Sequence, residues 1–303
     1  MTLTQLRYVI EVANSSSMNE AARNLFISQP SLSSSVKDLE EEVGVELFKR
    51  TNRGISMTPE GEEFIGYARQ VVEQYQLIEA RYISKEQIRK KFSVSMQHYS
   101  FAVNAFVEMV KQFGMDEYEF AIHETKTYEV IEDVRNFRSE IGILYINDFN
   151  RKVLMKLFHE SGLEFHEILR CGIYVYMWKG HPLADRELLT LEELEDYPCL
   201  SFEQGNFNSF YFAEEVLSTY DYKQFIKAND RATMHNLMVG LNGYTLCSGI
   251  LCEKLNGSEF CAVKLRSDER MTIGYLVRKG VAISPLGKKY LEEIAKFEDK
   301  GLV

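Results

Sequence analysis

Apolar positions at the start of the chain recur with a helical period. Leu6, Val9, Ile10 and Ala13 predict an amphipathic helix over about residues 3–14. The run Asn14-Ser15-Ser16-Ser17 interrupts it. Ser17, with Glu20 three residues on, has the form of a capping box, and Ala21, Ala22 and Leu25 continue a short second helix. After a tight turn at Phe26 and Ile27, Ser28 caps a third helix. Pro30 falls in its first turn, where a missing N–H leaves no bond unmade. Leu32, Val36, Leu39 and Val43 form its inward stripe. Leu47 to Thr58 reads as a hairpin, with apolar residues flanking a Thr51-Asn52-Arg53-Gly54 tip. Thr58 and Pro59 then open a helix running to about Lys85. Phe64, Ala68, Val71, Tyr75, Ile78 and Tyr82 step along it by fours and threes, the seam of a coiled-coil-like dimer, parallel or antiparallel.

From Lys91 onward short β runs alternate with helices. Phe92–Met96, Tyr118–Ile122 and Ile141–Tyr145 predict strands, with helices carrying Phe101 to Met109 and Tyr128 to Phe137 between them. Such alternation predicts a parallel α/β sheet. A second α/β unit is expected from about Glu164, with a strand at Cys199–Phe202 and helices near Phe210–Leu217 and Ala232–Val239. Met271–Val277 would return the chain to the first unit, and Pro285–Lys296 would be the last helix. The whole is an α+β multi-domain chain. Its expected parts are residues 1–58, a linker helix at 59–90, and a two-lobed domain at 91–303. Lobe I takes 91–163 with 270–303, and lobe II takes 164–269.

Composition changes this picture at one place. The chain is 45% hydrophobic and 26% charged, as in an ordinary folded protein, and its net charge is −10. An unselective nucleic-acid binder would be basic. Yet Lys49, Arg50 and Arg53 cluster on the hairpin, and the outward face of the third helix carries Gln29, Ser31, Ser33, Ser34, Ser35 and Lys37. Two short helices, the second opening Ser28-Gln29-Pro30-Ser31, have the shape of a helix-turn-helix, with the basic hairpin as its wing. Acidity elsewhere suppresses unspecific contact with phosphate.

The run from Leu6 to Phe64 resembles the N-terminal domain of the LysR-type transcriptional regulators. The motifs that carry it are Ala21-Ala22 with Leu25, Ser28 to Ser33, Leu39 to Gly44, Leu47-Phe48 with Arg50, and Thr58 to Gly61, all in family order. Ser34 and Ser35 stand where this family often has longer side chains, which moves discrimination toward DNA shape. The later segments are similar to the family's periplasmic-binding-protein-like effector domain, through His181-Pro182-Leu183-Ala184 and the spacing of Gly240, Gly243 and Leu246. The resemblance implies a winged helix-turn-helix contacting double-stranded operator DNA through Ser28, Gln29, Pro30, Ser31, Ser33, Ser34, Lys37, Lys49, Arg50 and Arg53. It also implies self-association as a dimer and then a tetramer, and contact with RNA polymerase.

In open α/β sheets ligands bind at the carboxyl ends of strands. Those ends are Gln97, His98, Tyr99 and Ser100, then Thr125 and Thr127 with Lys126 between them, then Tyr145, and Phe202, Gln204 and Asn206 in lobe II. A small anionic effector is expected among them, with no cofactor. The six histidines are scattered, and no HExxH, GxSxG or phosphate-binding loop appears, which disfavours an enzyme. A secreted solute-binding protein would share the lobes, but would need a signal segment, and none is visible in the first twelve residues. With no run of about 20 apolar residues either, the expectation is a cytoplasmic protein away from membranes. A thiol redox sensor of the same architecture is the remaining alternative. The peroxide-sensing branch of the family carries a cysteine just after a Glu-x-Gly turn; here the turn is Glu203-Gln204-Gly205 and Phe207 holds that place. The five cysteines form no CxxC pair, so a zinc site has little support.

Overall fold

The computed structural model describes residues 1–51, 54–79, 90–113, 117–252, 255 and 257–297. It divides into two compact units, residues 1–89 and 90–303.

The first unit opens with helix α1 (Leu3–Asn14), α2 (Met18–Asn24) and α3 (Gln29–Val43). A complete capping box starts α1: Gln5 N donates to Thr2 Oγ1 at 3.2 Å, and Thr2 N donates to Gln5 Oε1 at 2.9 Å. The box expected at α2 is half made. Ser17 Oγ accepts from Glu20 N at 3.2 Å, but the Glu20 carboxylate turns to Ser16 N at 2.7 Å, one residue before the cap. Ser28 caps α3, and Gly44 ends it in a left-handed conformation (φ 76°) that a side chain would strain. Strands β1 (Phe48–Thr51) and β2 (Gly54–Met57) form the antiparallel hairpin. Glu40 anchors it to α3, its Oε1 accepting from Leu47 N and Phe48 N at 2.7 and 3.1 Å. Val9, Val12, Ala21, Leu32, Val36, Leu39, Leu47 and Ile65 close one core over these elements.

Helix α4 (Pro59–Ile78) is capped by Thr58, whose Oγ1 accepts from Gly61 N at 2.8 Å. It does not present one seam. Ile65, Ala68 and Val72 are buried within this unit, Ala68 and Val72 against Leu6 of α1, and Arg7 lies over the Tyr75 ring at 5.7 Å. Tyr67, Val71 and Ile78 are exposed. At about 100° per residue these positions spread over a stripe wider than a coiled-coil seam, so one edge packs at home and the other is left open. Tyr82 lies outside the described residues.

The second unit holds two lobes. Lobe I contains β3 (Lys90–Met96), α5 (Ser100–Phe113), β4 (Tyr118–Glu124), α6 (Thr127–Arg135), β5 (Ile141–Ile146), α7 (Arg151–Glu160) and β6 (Leu163–Cys171). Lobe II contains β7 (Tyr174–Trp178), β8 (Leu188–Leu189), β9 (Cys199–Phe202), β10 (Phe225–Ala228), α8 (Arg231–Leu241), β11 (Thr245–Cys247) and β12 (Phe260–Leu265). The chain returns to lobe I through β13 (Met271–Arg278) and α9 (Pro285–Ala295).

The first sheet runs β4-β3-β5-β13-β6 and the second β11-β7-β12-β8, with β9 and β10 paired in parallel beside it. Three expectations are corrected. The lobe I sheet is mixed, since β13 is antiparallel to both its neighbours. Residues 164–171 also belong to this sheet, as β6 pairs with β13 along its length, so the chain crosses to lobe II after Cys171 rather than near Glu164. The helix expected at Phe210–Leu217 is only a single 3₁₀ turn, Phe210–Phe212, followed by turns.

Candidate functional site

On α3, Pro30, Ser31, Ser34 and Lys37 are exposed, and Gln29 and Ser33 are half-buried. Ser28 Oγ accepts from Ser31 N at 3.3 Å and lies 2.7 Å from Ser31 Oγ, so its first role is to hold the helix start. Pro30, Ser34 and Lys37 follow one another at helical spacing, giving a low polar ridge over which a backbone or base edge can approach closely. Lys37 is paired with Glu41 at 3.2 Å, a solvated contact easily exchanged for phosphate. Lys49 is exposed on β1, opposite Ser56. The Arg50 side chain and all of Arg53 lie outside the described residues.

Between the lobes lies a cavity of about 80 Å³. His98 and Ser100 bound it from lobe I, and Phe202, Glu214, Arg231, Met234, Met238 and Thr245 from lobe II. The His98 ring stacks on Phe202 across the cleft at 3.6 Å. Its Nδ1 lies 2.7 Å from Glu214 Oε2, and the His98 backbone N donates to the same oxygen at 3.1 Å. Burial opposes charge on His98, but the hydrogen bond and charge of Glu214 outweigh it and raise its pKa. A second inter-lobe ion pair joins Arg231 of α8 to Glu124 at the end of β4.

A hydrogen-bonded clasp sits beside the cavity. Gln97 Nε2 donates to Thr127 Oγ1 at 2.5 Å, and Thr127 Oγ1 donates to Phe212 O at 2.7 Å. Thr127 N donates to Gln204 Oε1 at 3.0 Å, and Gln204 Nε2 to Glu214 Oε1 at 2.9 Å. The Tyr145 hydroxyl lies 3.1 Å from both Ala213 O and Glu215 O. This clasp fixes the segment from Phe202 to Glu215 onto the strand ends of lobe I, so the angle between lobes and the shape of the cavity are set together.

Two family descriptions match the chain. "Bacterial regulatory helix-turn-helix protein, lysR family" covers residues 3–62, and "LysR substrate binding domain" covers residues 97–297, two thirds of the chain. The chain belongs to the LysR family of transcriptional regulators. Among curated relatives, AlsR of Bacillus subtilis is 27% identical, over 80% of this chain and 77% of its own. OxyR of Escherichia coli, a DNA-binding transcriptional dual regulator, is 23% identical over 98% and 94%. A full-length OxyR variant from Pseudomonas aeruginosa has the same fold, with a TM-score of 0.62 at 21% identity, covering 98% of this chain and 94% of that one. The protein is thus a LysR-type DNA-binding regulator with an effector-binding domain.

Within this LysR-type architecture, the strand-end residues named from sequence divide into three groups. His98, Tyr99, Ser100 and Phe202 line the cavity. Gln97, Thr127, Tyr145 and Gln204 form the clasp, where their polar groups are already engaged. Thr125 and Asn206 do not reach the cavity: Thr125 Oγ1 bonds Glu129 on the outer side of lobe I, and Asn206 is exposed. Lys126 pairs with Glu129 at 3.7 Å instead of facing a ligand. The lining also contains two buried acidic residues, Glu214 and Glu215, alongside His98 and Arg231. Sequence reasoning passed over both, because an adjacent acidic pair in an apparent helix normally faces solvent. The HPLA motif is structural. Leu183 N donates to His181 Nδ1 at 3.0 Å and His181 Nε2 donates to Asn242 O at 3.0 Å, with burial lowering the ring's pKa.

Proposed function

We propose that α3 enters the major groove of an operator half-site with Gln29, Ser31 and Ser34 toward base edges, and that the hairpin sets Lys49, Arg50 and Arg53 against the backbone. The observation that carries this is the exposed ridge of short polar groups on a helix opened by Ser28 and Pro30. A second copy associates through the open edge of α4, giving two heads for two half-sites, and the dimer meets RNA polymerase in the cytoplasm. A small molecule held between the lobes changes their angle and so biases operator binding.

Fluorescence anisotropy on a selected operator duplex tests the assignment of α3 and the wing. Lys49→Ala weakens binding to all duplexes and reduces the salt slope by about one. Gln29→Ala instead lowers the preference for operator over random duplex by about 1–3 kcal/mol. If both variants bind like wild type, the assignment is wrong.

Thiol sensing finds no support in the site. Burial pushes the Cys171 and Cys247 thiols up to about 12 and raises that of Cys199 as well, which keeps them protonated and unreactive. Phe207, in the place of the peroxide-sensing cysteine, is stacked on Tyr128 at 3.5 Å.

A further inference from the structure

Most of the charge facing the inter-lobe cavity is already matched. His98 is held by Glu214 at 2.7 Å, and Arg231 is paired with Glu124. His235 lies with its Nε2 3.1 Å from the Tyr176 hydroxyl, and burial lowers its pKa toward the neutral ring. Glu215 is left over. Its oxygens accept from two neutral donors, Ser201 Oγ at 2.6 Å and Phe202 N at 2.9 Å, and among the described residues it has no cation within ion-pair distance. A buried carboxyl without a counter-ion keeps its proton at neutral pH; a cation beside it would let it ionise, whereas an anionic ligand would hold it neutral.

Thr245 of β11 gives an independent reason. Thr245 lines the cavity, is 7% exposed, and its Oγ1 has no hydrogen-bond partner among the described residues. A buried hydroxyl left so is unfavourable until something supplies a partner. The remaining surface is apolar and compliant, with Met234, Met238 and Ile250.

We infer that this cleft takes a small organic ammonium: a primary amine whose charged head becomes the counter-ion of Glu215, whose second polar atom bonds Thr245 Oγ1, and whose apolar body lies on Met234, Met238 and Ile250. This rests on the reading of the cleft as the effector site. Because the ligand would touch His98 and both acidic residues of the clasped segment, its arrival alters the contacts that set the lobe angle.

The test uses full-length protein near neutral pH, by thermal melting and then calorimetry. The probes are leucinol, aminobutanol and tyramine, with the matched anions hydroxyisocaproate, hydroxybutyrate and hydroxyphenylacetate. Each is applied to wild type, Glu215→Gln, Thr245→Val and the cavity-filling Met238→Trp, with circular dichroism confirming that the variants fold. At least one amine stabilises wild type, binds Glu215→Gln about tenfold or more weakly, loses affinity with Thr245→Val, and fails on Met238→Trp. No stabilisation by any of the amines overturns the inference. Anions that bind wild type but not Met238→Trp also overturn it, while leaving the cleft as the effector site. An amine that binds Glu215→Gln and Met238→Trp as it binds wild type sits elsewhere, and removes the cleft reading as well.

Discussion

Glu215 carries a proton at a pH where most carboxyls have lost theirs. Burial, then the neighbouring charge of Glu214, pushes its pKa from 4.5 up to about 8, against the opposing hydrogen bonds of Ser201 and Phe202 and the charge of His98. The folded chain keeps a proton that the unfolded chain releases, so stability falls as pH rises between those two values. His98 acts in the same direction: its raised pKa contributes stability at low pH that is lost as pH climbs through the folded value. The melting midpoint of the ligand-free protein therefore drops between about pH 4.5 and about pH 8, and Glu215→Gln flattens most of that slope. A wild-type midpoint constant over the range would contradict the burial of this group. Gly61 shows a different constraint on a single residue. A Cβ there would lie 2.1 Å from the Leu47 carbonyl oxygen, because α4 starts almost in contact with the backbone leading into the wing. Gly61→Ala should destabilise the DNA-binding unit by about 1–3 kcal/mol and weaken operator binding with it, as read by denaturant unfolding and anisotropy. A neutral Gly61→Ala would mean that the start of α4 can move away from Leu47 at no cost.

Elements whose identity is written in local periodicity were legible in the sequence. α1, α3, the hairpin and α9 follow from apolar spacing and their Ser, Thr, Pro and Gly boundaries. Elements defined by a distant partner were not. β6 looked like the start of lobe II because only its pairing with β13, about a hundred residues later, assigns it to lobe I. The stretch Phe210–Leu217 has helical apolar spacing, yet its carboxylates are drawn inward by His98, Gln204 and Ser201, and the backbone turns to deliver them. α4 is the intermediate case. Its apolar spacing was visible, but which edge packs on α1 depends on Leu6 and Arg7. Val71→Asp with Ile78→Asp leaves the inward contacts of Ala68 and Val72 alone, but places charge where a second copy would bury it, at a cost of several kcal/mol. Sedimentation velocity should then show loss of the dimer. An unchanged sedimentation coefficient would place the association on the effector domain instead.

For the whole molecule, the division into a DNA-binding head and an effector-binding domain was legible in sequence, and the chemistry of the inter-lobe cavity was not. Charge segregation is what points to α3 and the hairpin as the proposed DNA-facing surface, because phosphate recognition needs positive and small polar groups on one local element. The strand-end rule pointed toward the cleft proposed for the effector, but it could not separate residues that line the cavity from those that latch the lobes, since Ser100 and Thr127 look alike until their partners are known. The Glu214-Glu215 pair, Arg231 and Thr245 come from separate segments of lobe II and meet only in the folded lobe. An acidic protein with this head is expected to bind duplex DNA by sequence rather than by charge alone. The most direct measurement is the affinity of the full-length protein for its selected operator and for a scrambled duplex of equal length and composition, taken at physiological salt. The operator should be preferred by about a thousandfold or more. Equal affinities for the two duplexes would contradict it.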